Sequence, residues 1–248
     1  MTVAVQVRGL VRRFTQKGVL DGVDLDIAAG EFVALLGRSG SGKSTLLRAL
    51  AGLDHDTLGS GSIVVPRGLS VVFQDARLLP WKRVLDNVVL GLDGRDAQAR
   101  GRDALAEVGL QGREKAWPYE LSGGEQQRAA LARSLVRKPA LLLADEPFGA
   151  LDALTRIRMH ALLRRLIAIH HPAVLLVTHD VDEAIELADR IVVLDGGRIA
   201  ADIRISLPLA GASRRQRAAE LRTHLLGLLG VEAGLDRSGQ EVTPRMSA

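Results

Sequence analysis

A chain of 248 residues, 47% hydrophobic and 25% charged, is long enough for one large domain or a domain with a subdomain, and apolar enough to fill a core. The lack of cysteine excludes a disulfide frame, a thiolate metal site and a thiol nucleophile, and suits a reducing cytosol. A net charge of +4, carried by arginines scattered without interleaved aromatics, argues against nucleic acid as a partner.

In chain order, "MTVAVQVRGLVRRF" has neither the apolar stretch nor the small-residue cleavage site of a signal peptide. No apolar run approaches the roughly 18 residues of a spanning helix. Residues 3–8 and 18–27 read as strands. Val23, Leu25 and Ile27 alternate with aspartates, which predicts an antiparallel layer with one wet face. "EFVALL" reads as a fully buried strand. "GKSTLLRALAGL" reads as a helix with Leu46, Leu47, Leu50 and Leu53 on one face and Gly52 near its end. From about 75 to 138 the pattern is mostly helical. "ALLLAD" (140–145) and "AVLLVTHD" (173–180) are apolar runs that turn polar at their C-terminal ends, as buried parallel strands with chemistry at their tips do. "RIVVLDGGRIAADI" predicts a hairpin turning at Asp195, Gly196 and Gly197. The tail from 205 is Arg-rich, then helical, then polar and frayed.

Between the buried strand and the first helix stands "GRSGSGKST": Gly37, Arg38, Ser39, Gly40, Ser41, Gly42, Lys43, Ser44 and Thr45. The spacing fits G-x-x-x-x-G-K-S/T. Glycines let backbone N–H groups turn toward a polyphosphate, Lys43 neutralises it, and the Ser44 hydroxyl suits Mg²⁺. The helix that follows points its positive end at the same anion. A plain Gly/Ser loop before a helix is the competing account, and it does not require the lysine.

In "LLLADEP", Asp145 sits at a strand tip where a carboxylate can hold Mg²⁺ or its water, and Glu146 can act as general base on an attacking water. Two solvated acids opening a turn before Pro147 is the other reading. In "LSGGEQQRAALARSLV", Ser122 and Glu125 form a capping box opening a helix over 123–137. The box does not explain Gly123 and Gly124, which weaken a first helical turn but bare its N–H groups to a phosphate.

"LSGGEQQRAALARSL" resembles the signature motif of the ATP-binding-cassette (ABC) ATPases. Other motifs of that family stand in order: Gln74 in "VVFQD" is similar to its Q-loop, "FGALD" (148–152) to its D-loop, and His179 in "VTHD" to its switch histidine. Phe14 lies where the family places an aromatic against adenine. Taken alone, Phe14 reads equally well as a core aromatic, and Gln74 and His179 as strand-end polar groups. The resemblance runs over about 3–204. It implies an α/β P-loop NTPase with a RecA-like parallel sheet, an N-terminal antiparallel layer and a helical subdomain inserted at about 75–138, with 205–248 as a C-terminal extension.

The resemblance further implies ATP and Mg²⁺ as cofactors and a homodimer closing head to tail on two nucleotides. In that dimer Gly37–Thr45 of one chain and Ser122–Glu125 of the other hold each ATP. Ser44, Gln74 and Asp145 serve the metal, Glu146 is the base, Gln74 and His179 face the water and γ-phosphate, and Asp152 reports across the interface. "ARLLPWK", "GALDALTR" and "LLVTHDVDEAIELADR" are similar to the nitrate, taurine and sulfonate importer ATPases, aliphatic sulfonates above all. That group works at the inner face of the cell membrane with two transmembrane permease subunits and, indirectly, a solute-binding protein. Leu78, Leu79 and Trp81 lie where a permease helix docks in the family; core packing is the other reading of all three. A non-transport cassette ATPase and a binding module without turnover are the rival classes. The sequence lacks the coiled-coil insertion or tandem cassette of the first, and Glu146 with His179 argues against the second.

Three departures from the family pattern carry expectations of their own. The interval between Gly52 and Gln74 is short, so a hairpin there should be clipped. Glu125 stands where Gln is also common, which would set a carboxylate near the nucleotide ribose and leaves its effect on affinity open. Phe14 replaces Tyr, which keeps stacking.

Overall fold

The structure is a computed structural model and describes residues 3–14, 17–55, 57–207 and 211–231, with the side chains of Phe14 and Lys17 outside that set. Among the described residues, nine strands form two sheets. The first is antiparallel and joins β1 (Val3–Phe14), β2 (Lys17–Ala28) and β4 (Leu58–Val64) in the order β2-β1-β4. The second joins β3 (Phe32–Leu36), β5 (Leu69–Phe73), β6 (Leu141–Asp145), β7 (Ala173–Val177), β8 (Arg190–Asp195) and β9 (Arg198–Arg204) in the order β5-β6-β7-β3-β8-β9. It is parallel except for the β8–β9 hairpin, which turns at Gly196 and Gly197 as predicted. Both opening strands are longer than the sequence pattern indicates, and the aspartates of β2 do face outward from Val23, Leu25 and Ile27. The interval after Gly52 holds no hairpin: β4 joins β1, and the chain passes directly to β5.

Strand β3 explains the layering. Its side chains alternate, so Val33 and Leu35 face one core and Phe32, Ala34 and Leu36 the other. The first core fills the space between the two sheets with α1 (Lys43–Leu50), through Leu46, Leu47 and Leu50. The second packs the opposite face against helices. Each fully buried leucine contributes about 1.5–3 kcal/mol, so central strands of nothing but apolar residues are held on both sides.

The helices of the second layer are α2 (Val84–Val88), α3 (Ala97–Glu107), α4 (Gly123–Leu135), α5 (Ala153–His170), α6 (Val181–Leu187) and α7 (Ala212–Leu228). Only α2, α3, α4 and a single 3-10 turn at Pro118–Glu120 lie within 75–138, so that segment is less helical than its pattern suggests. Helix α1 ends at Leu50. Gly52, at φ 65, turns the chain away, and Leu53 is exposed rather than on the buried face. Helix α4 stops at Leu135, short of 137. Helix α7 docks on α6, with Leu225 fully buried. No helix among the described residues is long and apolar enough to cross a membrane.

Register sets the site. Phe73 pairs with Asp145, Asp145 with Val177, and Val177 with Leu35. The residues that follow these strands, Gln74, Glu146, Thr178–His179 and Gly37, therefore leave the sheet at one edge, its C-terminal one.

Candidate functional site

The 37–45 loop is shaped by glycine where glycine is needed. Gly42 adopts φ 106 as the N-cap of α1, and a Cβ there would stand 2.8 Å from both the Leu20 side chain and the Val19 carbonyl oxygen. A Cβ on Gly37 would meet the Leu194 carbonyl oxygen at 2.4 Å. Lys43 opens α1 and is buried, and its Nζ donates to the carbonyls of Gly37 (2.8 Å) and Arg38 (3.1 Å). Burial pushes the ammonium pKa down, against the pull of Glu146 and Asp145. The Ser41 hydroxyl is buried without a hydrogen-bond partner among the described residues. Arg38, Ser39 and Gly40 are exposed at the rim, and Thr45 is half-buried in the first turn of α1. A loop with an orphaned hydroxyl, a buried ammonium held only by carbonyls and a bare helix start suits a polyanion.

Ser44 Oγ donates to Asp145 Oδ1 at 3.2 Å. Burial pushes the Asp145 carboxyl up, Ser44 opposes the rise, and Glu146 adds to it. A hydroxyl and a carboxylate side by side are hard oxygen donors that fit Mg²⁺, which takes one or two protein oxygens and completes its shell with phosphate and water. No cluster of three or more His, Asp or Glu side chains able to cage a metal occurs among the described residues.

Glu146 is held in a left-handed conformation, φ 46, with its N–H donating to the Val177 carbonyl at 2.9 Å. A non-glycine residue in this region is strained, and such strain clusters at functional sites. The turn aims its carboxylate away from Asp145, onto His179 Nδ1 at 3.0 Å. His179 itself is largely exposed. The Gln74 amide lies beside Gly149, where a Cβ would stand 3.3 Å from Nε2. It shares the sheet edge with Ser44 and Asp145 but bonds neither among the described residues. The loop after it is clamped from within. Asn87, fully buried, receives the Leu79 N–H (2.6 Å) and donates to the carbonyls of Leu79, Lys82 and Arg83, while Arg133 holds those of Ala76 and Arg77. On that loop Leu78 packs against the helical core, Leu79 is half-buried, and Trp81 is 70% exposed.

The Ser122–Glu125 segment opens α4, on the helical layer. Ser122 caps α4 through Glu125 N–H (3.3 Å), and the Glu125 carboxylate receives the Ser122 N–H and hydroxyl, each at 2.9 Å. Those bonds from Ser122 hold the Glu125 carboxyl below its usual range, and Arg113 lies 3.3 Å away. The carboxylate is thus committed to the cap. Gly123 and Gly124 differ: a Cβ on Gly123 meets nothing within 4 Å, whereas one on Gly124 would stand 2.8 Å from the Thr155 methyl. A cavity of about 940 Å³ opens between this helix start and α5, lined by Ser122–Glu125, Arg128, Asp152 and Arg158. Asp152 caps α5 by accepting from Thr155 N–H at 3.0 Å. The Phe14 side chain lies outside the described residues.

Sequence reasoning missed Asn87 and the residues that join α5 to α6. Arg156 reaches Asp180 at 3.4 Å, and buried His160 reaches Glu183 at 2.9 Å. The signal was available: bases at 156, 160 and 164 repeat at helical spacing, and so do acids at 180, 183 and 186.

Comparison with known proteins accords with this geometry. The ABC transporter family model matches residues 20–149. The aliphatic sulfonates import ATP-binding protein SsuB 2 of Rhizobium johnstonii is 70% identical over 231 residues, 93% of this chain and 93% of its own length. The protein of the same name from Streptomyces avermitilis is 68% identical over 92% of this chain and 91% of its own length. The dimeric, post-hydrolysis structure of the ATP-binding cassette MJ0796 bound to ADP and Pi is similar with a TM-score of 0.71 and 29% identity, covering 82% of this chain and 99% of that one. The cbiO1 protein of Clostridium perfringens, at 24% identity, shares the fold with a TM-score of 0.75 over 92% of this chain and 96% of its own. Motifs, sheet-edge geometry and relatives agree: the chain belongs to the ABC transporter family, as one of its ATPase subunits.

Proposed function

We propose that this chain binds and hydrolyses ATP to energise the import of aliphatic sulfonates. The observation that carries the ATPase reading is the meeting, at one sheet edge, of buried Lys43, the Ser44–Asp145 pair and the Glu146–His179 pair. Lys43 exchanges its two carbonyl contacts for the β- and γ-phosphates, with N–H groups of residues 37–45 around them. Ser44 and Asp145, with Gln74, would hold a magnesium ion, which would supply charge neutralisation on the phosphates. Glu146 takes a proton from the attacking water, and His179, already paired with its carboxylate, orients that base and faces the γ-phosphate. Phe14 stacks on adenine. Residues 1–204 form the ATPase proper and 205–248 an extension.

Two copies of the chain complete each other. The open face at Ser122, Gly123, Gly124 and Glu125 lines a cavity whose walls include none of residues 37–45, which suits a second protomer in C₂ symmetry. The dimeric state of the MJ0796 relative supports this reading. The sulfonate assignment rests on relatives of that name at 68–70% identity. The solute then passes through two transmembrane permease subunits, fed by a solute-binding protein, with this chain at the inner face of the membrane. Residues 74–81 are the permease contact.

Single-turnover hydrolysis of ATP by the purified chain tests the ATPase reading. Growth of a deletion strain on an aliphatic sulfonate, on taurine and on nitrate tests the solute, with loss expected on the aliphatic sulfonate. Trp81→Ala should leave melting temperature and basal hydrolysis unchanged and lower recruitment to permease-containing membranes.

A further inference from the structure

Helix α6 follows His179 directly, and each of its acidic residues is engaged by a base from another helix. Asp180 faces Arg156 (3.4 Å), Glu183 faces His160 Nε2 (2.9 Å), and Glu186 faces His160 Nδ1 (3.4 Å) and Arg164 (3.7 Å), all from α5. Asp182 pairs with Arg222 of α7 at 2.9 Å. Arg156, His160 and Arg164 lie four residues apart on α5 and so form one ridge. Ion pairs on a surface contribute little, but His160 and Glu183 are both buried, where breaking one partner leaves the other exposed to the full cost of desolvation.

Arg156 touches two functional segments at once. Its Nη2 donates to the Leu151 carbonyl at 3.2 Å, inside the 148–152 turn, while Nη1 pairs with Asp180, the neighbour of His179. Its Nε is buried without an acceptor among the described residues. A buried donor left unpaired is a cost that a second arrangement of the turn, with a carbonyl aimed at Nε, removes. His160 adds a second lock, and the ring of Phe148, from the same turn, packs on it at 5.2 Å between centroids. The 148–152 turn thus leans on α5, and α5 grips α6, at two successive levels.

We propose that Arg156 and His160 are positioning residues that couple the 148–152 turn to His179, so that movement of the turn carries the switch histidine into or out of place. The proposal rests on the ATPase reading above. It makes the coupling sensitive to pH. The groups facing His160 are Glu183 and Glu186 from α6 and the Phe148 ring, with Arg156 and Arg164 along its own helix. Burial lowers the His160 pKa, but the two glutamates outweigh it and the net direction is up. The charged lock is therefore present at low pH and is lost as pH rises through the raised value.

The test uses the full chain with ATP and Mg²⁺. Arg156→Gln should lower kcat about tenfold or more while leaving KM for ATP within about twofold, the pattern of an interaction used after binding. Asp180→Asn should do the same, since asparagine keeps the cap of α6 and loses only the charge. The double variant should be no worse than Arg156→Gln alone, because Asp180→Asn deletes a contact that Arg156→Gln has already removed. The parent chain should lose kcat as pH rises through the raised His160 value, and His160→Gln should flatten that fall. Wild-type kcat in Arg156→Gln, or a double variant reduced by the product of the two single effects, overturns the coupling. So does a lower melting temperature with kcat intact, which is a structural role alone. If the parent chain itself fails to hydrolyse ATP, the ATPase reading falls and the coupling with it; hydrolysis in the parent with no effect of Arg156→Gln sinks the coupling alone.

Discussion

The phosphate loop and the Ser122–Glu125 segment are both helix starts laid bare for an anion, yet they are built differently. The first stands on a buried strand, and its charged groups are already occupied: Lys43 by two carbonyls, Ser44 by Asp145, Glu146 by His179. The second stands on the helical layer, its cap is satisfied within four residues, and Gly123 faces open space. A site that is internally paired can wait for its ligand without an unpaired buried charge. A site that is merely open needs something brought to it. In the proposed dimer the first is the socket and the second the surface that closes it.

Substitutions can break that contrast in order of expected size. Glu146→Gln should cut ATP turnover by about 10²–10⁴-fold while nucleotide binding persists, as removal of a general base does; single-turnover kinetics beside calorimetric binding checks it. Lys43→Ala should abolish measurable ATP affinity without unfolding, since its partners are two carbonyls that water can satisfy once the side chain is gone. Gly123→Asp should leave ATP binding to the single chain intact and block dimer closure by charge repulsion. Gly124→Asp is a poorer probe, because its Cβ would press on Thr155 at 2.8 Å and disturb α5 as well. Light scattering with ATP on the two variants, next to their melting temperatures, separates the cases: only Gly124→Asp should lose stability.

Smaller effects sharpen the picture. Ser122→Ala removes the cap of α4 and should destabilise by about 1 kcal/mol, read by denaturant unfolding. His160 has a folded pKa raised above its ordinary value near 6.5. Its contribution to stability is then complete below about pH 6.5 and is lost as pH rises through the folded value. The melting-temperature gap between the parent chain and His160→Gln should narrow over that rise.

Much of this was legible in the sequence, for a physical reason. A phosphate loop is local: strand, glycines, lysine and helix are contiguous, and the strand tips 145–146 and 178–179 announce themselves by a change from apolar to polar. The antiparallel layer showed in the alternation of Val23, Leu25 and Ile27. What failed depended on contacts distant in the chain or on one torsion. Leu53 fits the helical stripe, but Gly52 turns the backbone before it and leaves it in solvent. By contrast, the Ser122–Glu125 capping box is local and forms as the sequence indicates. The α5–α6 ladder shows in the sequence only as two charge periodicities, at 156, 160 and 164 and at 180, 183 and 186, because neither helix alone says that it faces the other.

The central claim is that the socket of one chain is completed by the open face of another. Mixing two inactive variants tests it most directly. In a dimer of one Lys43→Ala chain and one Gly123→Asp chain, one site carries both defects and the other carries neither. Completion in trans therefore predicts that ATP hydrolysis, absent from each variant alone, returns on mixing to about one quarter of the parent rate, since random pairing makes half of the dimers mixed, with one intact site each. A mixture as inactive as its components would show that each chain completes its own site, and would contradict the account.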